Sequence, residues 1–144
     1  MSLSHNINII SRCSRRFREA KLRRYGLKGS QPVCIMTICK SPGISQDGIA
    51  KINHMDKSNV TRQLNTLEQE GYITRITSKD DRRFYEIYPT DKAQLALPDI
   101  KASFREWNSL ITQMLTKEEI SQLESLIEKV RIGAIALDEE GYEE

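Results

Sequence analysis

Apolar residues recur every three or four positions at both ends of the chain, and the period changes to two only once, in between. Leu3, Ile7, Ile10 and Phe17 mark one helical face over about Ser4 to Arg24, the steps of a 3.6-residue repeat. Tyr25-Gly26 ends that helix, glycine being the usual residue past a helix C-terminus. A second helix covers about Ser30 to Cys39 and stops at the turn Ser41-Pro42-Gly43. Ser45 is the N-cap of a short helix reaching about Ile52, with Ile49, Ala50 and Ile52 turned inward. Gly48 within it costs about 1 kcal/mol relative to alanine. After a break at Asn53-His54-Met55, Asp56 caps a longer helix that runs to about Glu70 and is closed by Gly71.

Two stretches then read as strands, Tyr72 to Thr77 and Phe84 to Tyr88, joined by the charged turn Ser78 to Arg83. The helical period returns at about Thr90. Pro98 removes a donor and bends this helix, which continues through Ile100, Phe104, Trp107, Ile111 and Met114. Thr116 and Glu119 spell a capping box for a last helix, striped by Ile120, Leu123, Ile127, Val130, Ala134 and Leu137. No internal repeat is visible, and the chain closes on an acidic tail, Asp138 to Glu144.

Short helix, turn, longer helix and then a hairpin with a basic tip is the order of a winged helix-turn-helix. The expected fold is mainly α with a small β-hairpin wing (α+β): one domain of residues 1–144, with a winged core at about 30–90. Helices at about 1–25 and 91–137 flank it and serve dimerisation. In this arrangement the second helix of the pair enters the major groove of DNA, where base edges differ in their donor and acceptor patterns. Val60, Leu64 and Leu67 share the face that packs inward. Opposite them lie Ser58, Arg62 and Asn65, flanked by Lys57, Asn59, Thr61 and Thr66. Short polar side chains suit bases and phosphates, and arginine can pair with guanine through two hydrogen bonds. Glu68 and Gln69, near the end of the face, suit DNA poorly. Lys79, Arg82 and Arg83 sit at a hairpin tip able to enter a neighbouring minor groove. Asp80 and Asp81 partly neutralise them, and Asp81 can orient Arg83 by a charge-assisted hydrogen bond. Each feature has a plainer explanation, since any amphipathic helix has a polar outside and many basic turns are simply solvated.

The net charge of +2 carries little weight, but its distribution does. Residues 1–44 hold nine Lys/Arg against one acid, a balance of +8; residues 45–88 hold seven of each; residues 89–144 hold six against twelve, a balance of −6. That asymmetry fits a basic surface for polyanions, and equally opposite charges facing each other across an interface. The longest apolar run, Val33 to Cys39, is broken by Thr37 and too short to span a bilayer. No signal peptide is evident, so the expected location is the cytoplasm, with no membrane contact. Three cysteines without CxxC spacing, and two histidines, His5 and His54, argue against a disulfide scaffold or a metal site. No G-x-S-x-G, P-loop or H-E-x-x-H motif occurs, so no enzyme and no cofactor is expected.

The stretch Leu27 to Ala50, then Ser58-Asn59-Val60-Thr61-Arg62, Leu67-Glu68, Gly71-Tyr72-Ile73 and Arg75, resembles the MarR family of bacterial and archaeal regulators. Asp81-Arg82-Arg83 followed by Pro89-Thr90 is similar to the family's D-x-R…L-T wing signature. The resemblance spans about residues 27–93, with Gly48, Pro89 and Ala93 standing where the family usually has an acidic residue, leucine and glycine. It implies a triangular homodimer with interlocked terminal helices, reading a pseudo-palindromic operator in double-stranded DNA, and a repressor that answers a small aromatic or anionic ligand. The residues support dimerisation on their own terms: stripes through Leu3, Ile7, Ile10 and through Ile120, Leu123, Ile127, Val130 exceed what one small winged core can cover. Packing of the three helices within one chain is the alternative.

Two other functions stay open. Some branches of the family sense oxidants through an N-terminal cysteine, and Cys13 lies beside Arg12, Arg15 and Arg16, which favour a thiolate. Its spacing from Ile10 and Phe17 equally fits plain core, as do Cys34 and Cys39 in the apolar second helix. A winged helix that has become a protein-interaction module is the other alternative.

Overall fold

The computed structural model describes residues 1–142; Glu143 and Glu144, the end of the acidic tail, lie outside them. α1 spans Leu3–Lys21, started by Ser2, whose Oγ accepts from the His5 N–H at 3.2 Å. It stops short of the expected Arg24 because Arg23–Tyr25 tighten into a 3-10 turn ahead of Gly26. α2 covers Gln31–Lys40, with Pro32 in the first turn, where a missing N–H leaves no bond unmade. Cys34, Ile35 and Ile38 are its buried side. α3 covers Gln46–Asn53, and Ser45 Oγ accepts from the Gly48 N–H at 3.0 Å.

Two expectations for α3 fail. Ile49 and Ala50 point inward, but Ile52 is 64% exposed. Asn53 takes the inward place instead, its Nδ2 donating to Thr37 Oγ1 at 3.0 Å and to the Ile49 carbonyl at 3.1 Å. Gly48 is also more than a weak helix former. A Cβ there would lie 2.9 Å from Ile44 Cγ1, so the close approach of the preceding loop requires a residue without one.

α4, Lys57–Gln69, sinks Val60, Leu64 and Leu67 completely. Asp56 holds the N-cap position with extended backbone angles, yet its side chain makes no capping hydrogen bond. β1 (Ile73–Thr77) and β2 (Tyr85–Pro89) pair antiparallel, Ile73 opposite Pro89 and Thr77 opposite Tyr85. Each starts one residue later than the alternation suggests. Tyr72 still belongs to the end of α4, its N–H donating to the Leu67 carbonyl, and Phe84 to the turn, its N–H donating to Asp81 O.

A further pairing ties this hairpin to the helices. The Gly43 N–H donates to the Ile87 carbonyl at 2.8 Å, and the Ile87 N–H donates to the Ile44 carbonyl at 3.1 Å. Gly43 sits at φ +88°, a conformation that strains any residue with a side chain, and a Cβ would also crowd Tyr88 Oη at 3.1 Å.

α5 spans Asp91–Ile111 and stays a single helix through Pro98, which is exposed, so the carbonyl deprived of its partner is on the solvent side. α6 spans Lys117–Glu140 behind a complete capping box: Thr116 Oγ1 accepts from the Glu119 N–H at 3.1 Å, and Glu119 Oε1 accepts from the Thr116 N–H at 3.3 Å.

The chain divides into two compact units, Met1–Trp107 and a second beginning at Asn108. In the first, α2, α3, α4 and the hairpin close over one core together with Ala93, Ala96 and Ile100 of α5. In the second, α6 has no buried residue. No described helix is long and apolar enough to cross a membrane.

Candidate nucleic-acid interface

α4 is amphipathic by construction: burying Val60, Leu64 and Leu67 turns Ser58, Arg62 and Asn65 outward, and all three are exposed. The residues between these faces are partly covered and already engaged. Asn59 Oδ1 accepts from Gln63 Nε2 at 3.0 Å and, at 3.5 Å, from Arg62 Nη2. Thr61 and Thr66 turn their hydroxyls back to the Lys57 and Arg62 carbonyls, at 2.9 and 3.2 Å. Thr61 Oγ1 also accepts from Gln46 Nε2, which links α3 to α4. Exposed Lys57, at the start of α4, lies 3.5 Å from Asp47, a pair too solvated to hold either charge firmly. Ser58, Arg62 and Asn65 therefore form the outward row, while Asn59, Thr61 and Thr66 flank it.

The hairpin tip is a closed loop. The Ser78 N–H donates to the Phe84 carbonyl at 2.9 Å, and the Asp81 N–H reaches Ser78 Oγ at 3.5 Å. Lys79, Arg82 and Arg83 are exposed on it. Asp81 accepts from the Arg83 backbone N–H at 3.0 Å and from its guanidinium at 2.7 Å. These hydrogen bonds hold the Asp81 carboxyl below its ordinary range and push Arg83 further up, each stabilising the other's charge.

One residue escaped the periodicity. Arg75 of β1 has a side chain only 14% exposed, its Nε lies 3.6 Å from Glu68 Oε2, and its Nη2 donates to Asn65 Oδ1 at 2.5 Å. Arg75 Nε is buried without a hydrogen-bond partner. Strand alternation shows it, since Arg75 pairs with buried Ile87 on the core side of the hairpin.

Leu3, Ile7 and Ile10 of α1 are exposed, as are Leu123, Ile127 and Val130 of α6, with Ile120 half-buried. Cys13 is exposed as well, which overturns its reading as core; Phe17, a turn later, is the residue that packs, its ring 5.5 Å from that of Trp107. Cys34 is fully buried and its thiol is pushed up to about 11 by desolvation; burial also raises Cys39. His54 is exposed at a left-handed position, φ 49°, that ends α3. Among the described residues, no group of three or more His, Cys, Asp or Glu is placed to hold a metal ion.

Beside α4 lies an open cleft of about 380 Å³, lined by Ser11, Arg15 and Arg18 of α1 and by Asn59 and Gln63 of α4. Arg18 stacks on the Phe104 ring at 4.6 Å. Its pKa is lowered by burial first and by Arg15 second, with Glu19 acting the other way, so two neighbouring cations line the cleft.

The MarR family model matches residues 27–84, from the end of the 3-10 turn to the last residue of the hairpin loop. The chain is 29% identical over 139 residues to the HTH-type transcriptional regulator BilQ of Clostridioides difficile (strain CD3), covering 96% of this chain and 94% of BilQ. Among solved structures, a crystal structure of MarR superposes with a TM-score of 0.81 at 28% identity, over 95% of this chain and 100% of that one. A MarR family regulator from Listeria monocytogenes, crystallised with a 26-mer DNA, shares the fold with a TM-score of 0.88 at 22% identity, over 100% and 98% of the two chains.

Proposed function

We propose that this chain, which matches the MarR family model over residues 27–84 and resembles MarR-type regulators along its length, is a transcriptional regulator of that family and binds double-stranded DNA sequence-specifically as a homodimer on a pseudo-palindromic operator. The observation that carries this reading is the outward row Ser58, Arg62, Asn65 on a helix whose opposite face is wholly buried. A hairpin bearing Lys79, Arg82 and Arg83 follows that helix at once. The row supplies donors and acceptors for base edges in the major groove, and the tip supplies cations for phosphates or the minor groove. The Listeria relative's DNA complex supports the same role for the shared fold. A cytoplasmic location goes with that proposed role.

The dimer is proposed from exposed apolar surface. The stripe of α6 leaves Leu123 46% exposed and Ile127 44% exposed, and α1 presents Leu3, Ile7 and Ile10 in the same way. Such stripes are removed from water by a two-fold partner. The action proposed is that of a ligand-responsive repressor. The cleft beside α4 suits a small carboxylate, held by Arg15 and Arg18 while touching Asn59 and Gln63. An occupant there contacts the DNA-reading helix and α1 together, and so favours some arrangements of the two over others.

Retention of duplexes from a random pool, followed by gel shift at two salt concentrations, tests the reading. A DNA reader selects a two-fold-related sequence, and its affinity falls steeply with salt, with a logarithmic slope of about −0.9 per phosphate neutralised. A protein-interaction module selects no sequence.

A further inference from the structure

We propose that Arg75 decides which base Asn65 reads, by occupying the Asn65 side-chain oxygen and leaving only its amide N–H groups for the groove. The inference rests on the DNA-reading role proposed for α4, and it concerns a residue with no direct access to DNA. Arg75 is a positioning residue: its side chain lies between β1 and α4, with Glu68 Oε2 3.6 Å from its Nε and Asn65 Oδ1 2.5 Å from its Nη2.

The chemistry follows from what each group can do. A guanidinium only donates, so the Asn65 atom that faces it must be the oxygen and the amide nitrogen must face away. A free asparagine favours adenine because it uses both ends at once, the amide donating to N7 and the oxygen accepting from the N6 amino group. With its oxygen bound to a cation, Asn65 is a poor acceptor for a second donor, and half of that pairing is lost. What remains is an outward NH₂ group, which suits an edge made of acceptors alone. Guanine presents two neighbouring acceptors, O6 and N7, and thymine presents O4. Asn65 therefore selects guanine first and thymine second; adenine keeps only N7 for it, beside an amino group that meets its N–H groups, and cytosine offers it no acceptor.

Glu68 strengthens the arrangement. Its carboxylate pairs with Arg75 and helps seat it against α4, yet it lies too far from Nε to complete a hydrogen bond. Asn65 is thus the nearest full acceptor for this guanidinium and is not released when DNA arrives.

Sequence selection from random duplexes by three proteins tests the proposal: wild type, Asn65→Ala and Arg75→Met. Asn65→Ala, a change at an exposed position, relaxes one base position per half-site and so identifies it. The wild type holds guanine or thymine there. Arg75→Met keeps the length and apolar stem, frees the Asn65 oxygen and shifts that position to adenine, with the position read by Arg62 unchanged. Adenine at the Asn65 position in the wild type overturns the proposal, as does an Asn65→Ala protein with unaltered selection. An Arg75→Met protein that melts like the wild type and keeps the wild-type base overturns it too. These failures all leave DNA binding intact. If the wild type retains no duplex, the function proposed above falls first. Should Arg75→Met fail to fold, the comparison of wild type with Asn65→Ala decides alone.

Discussion

The guanidinium of Arg83 lies along the carboxylate of Asp81, two residues earlier, with Nη2 2.7 Å from Oδ2 and Nε 3.1 Å from Oδ1. The pair is exposed, so it adds little to stability. Its effect is to fix the direction of a cation on a loop. Arg83→Ala is expected to weaken binding to the operator and to unrelated duplexes alike, and to reduce the salt slope by about 1. Asp81→Ala removes a screened negative charge, which helps binding slightly, but it leaves Arg83 to be ordered on DNA; the ordering cost prevails and binding weakens. The Asp81 carboxyl is held low, so the pair is intact above the ordinary carboxylate range and parts only as pH falls through that lowered value. Gel shifts from neutral pH to pH 5 should show no loss assignable to Asp81, tested against the Asp81→Ala protein.

Arg62 and Arg105 test the proposed reading face against the rest of the surface. Arg62→Ala is expected to cost about 1–3 kcal/mol per half-site and to relax preference at one operator position. Arg105, exposed on α5, is the control, where alanine should change little. Unchanged affinity and selection in Arg62→Ala, with binding abolished in Arg105→Ala, would relocate the DNA surface.

Charging the α6 stripe tests the homodimer. Leu123→Glu together with Ile127→Glu should convert dimers into monomers, or into insoluble protein, in sedimentation, with loss of DNA binding. A wild type that is monomeric and stable at micromolar concentration would sink the assembly.

Gly48→Ala sets local propensity against packing. In an open helix the change gains about 1 kcal/mol. Here the new methyl meets Ile44 Cγ1 at 2.9 Å, close to the Gly43–Ile44 pairing with Ile87. Thermal melts should show a lower Tm for Gly48→Ala, and Ile44→Ala introduced beside it should recover part of the loss that the two changes predict separately.

Cys34 links stability to alkaline pH. Its thiol ionises near 9.0 when unfolded and at about 11 in its buried site. Between those values the unfolded chain gives up a proton that the folded chain keeps, so stability is whole below pH 9 and declines as pH rises towards 11. The loss is on the order of 2–3 kcal/mol. Denaturant titrations across this window should slope less in Cys34→Ala than in the wild type.

Much of this was legible because it is local. Val60, Leu64 and Leu67 announce the inner face of α4 by spacing, Thr116 and Glu119 announce a cap at four consecutive positions, and Asp81 and Arg83 are two residues apart. What the spacing hid is either non-local or a contest between neighbours. Ile44 meets Ile87 across more than forty positions of chain, and one bridging residue has no period to detect. Ile52 yields the inward place to Asn53 because an amide that finds two partners there is buried at little cost, whereas hydropathy alone ranks isoleucine first. Asp56 has the right residue type and backbone for a cap without the bond, which side-chain rotamers decide. Arg75 is a cation on the core side of a strand, intelligible only once Asn65 and Glu68 are seen across from it.

The Gly43–Ile44 pairing with Ile87 has a mechanical consequence. A hairpin joined to its domain only at its two ends behaves as a flap, able to swing about its base and meet grooves of different width. Here the returning strand is stitched midway to the loop between α2 and α3, so swinging the flap means breaking backbone hydrogen bonds. The wing is a bracket, and its reach is set at folding. If the wing meets a minor groove as proposed, accommodation to a wider or narrower one is left to the few residues of the loop beyond Thr77, and duplexes whose shape falls outside that small travel are expected to bind poorly.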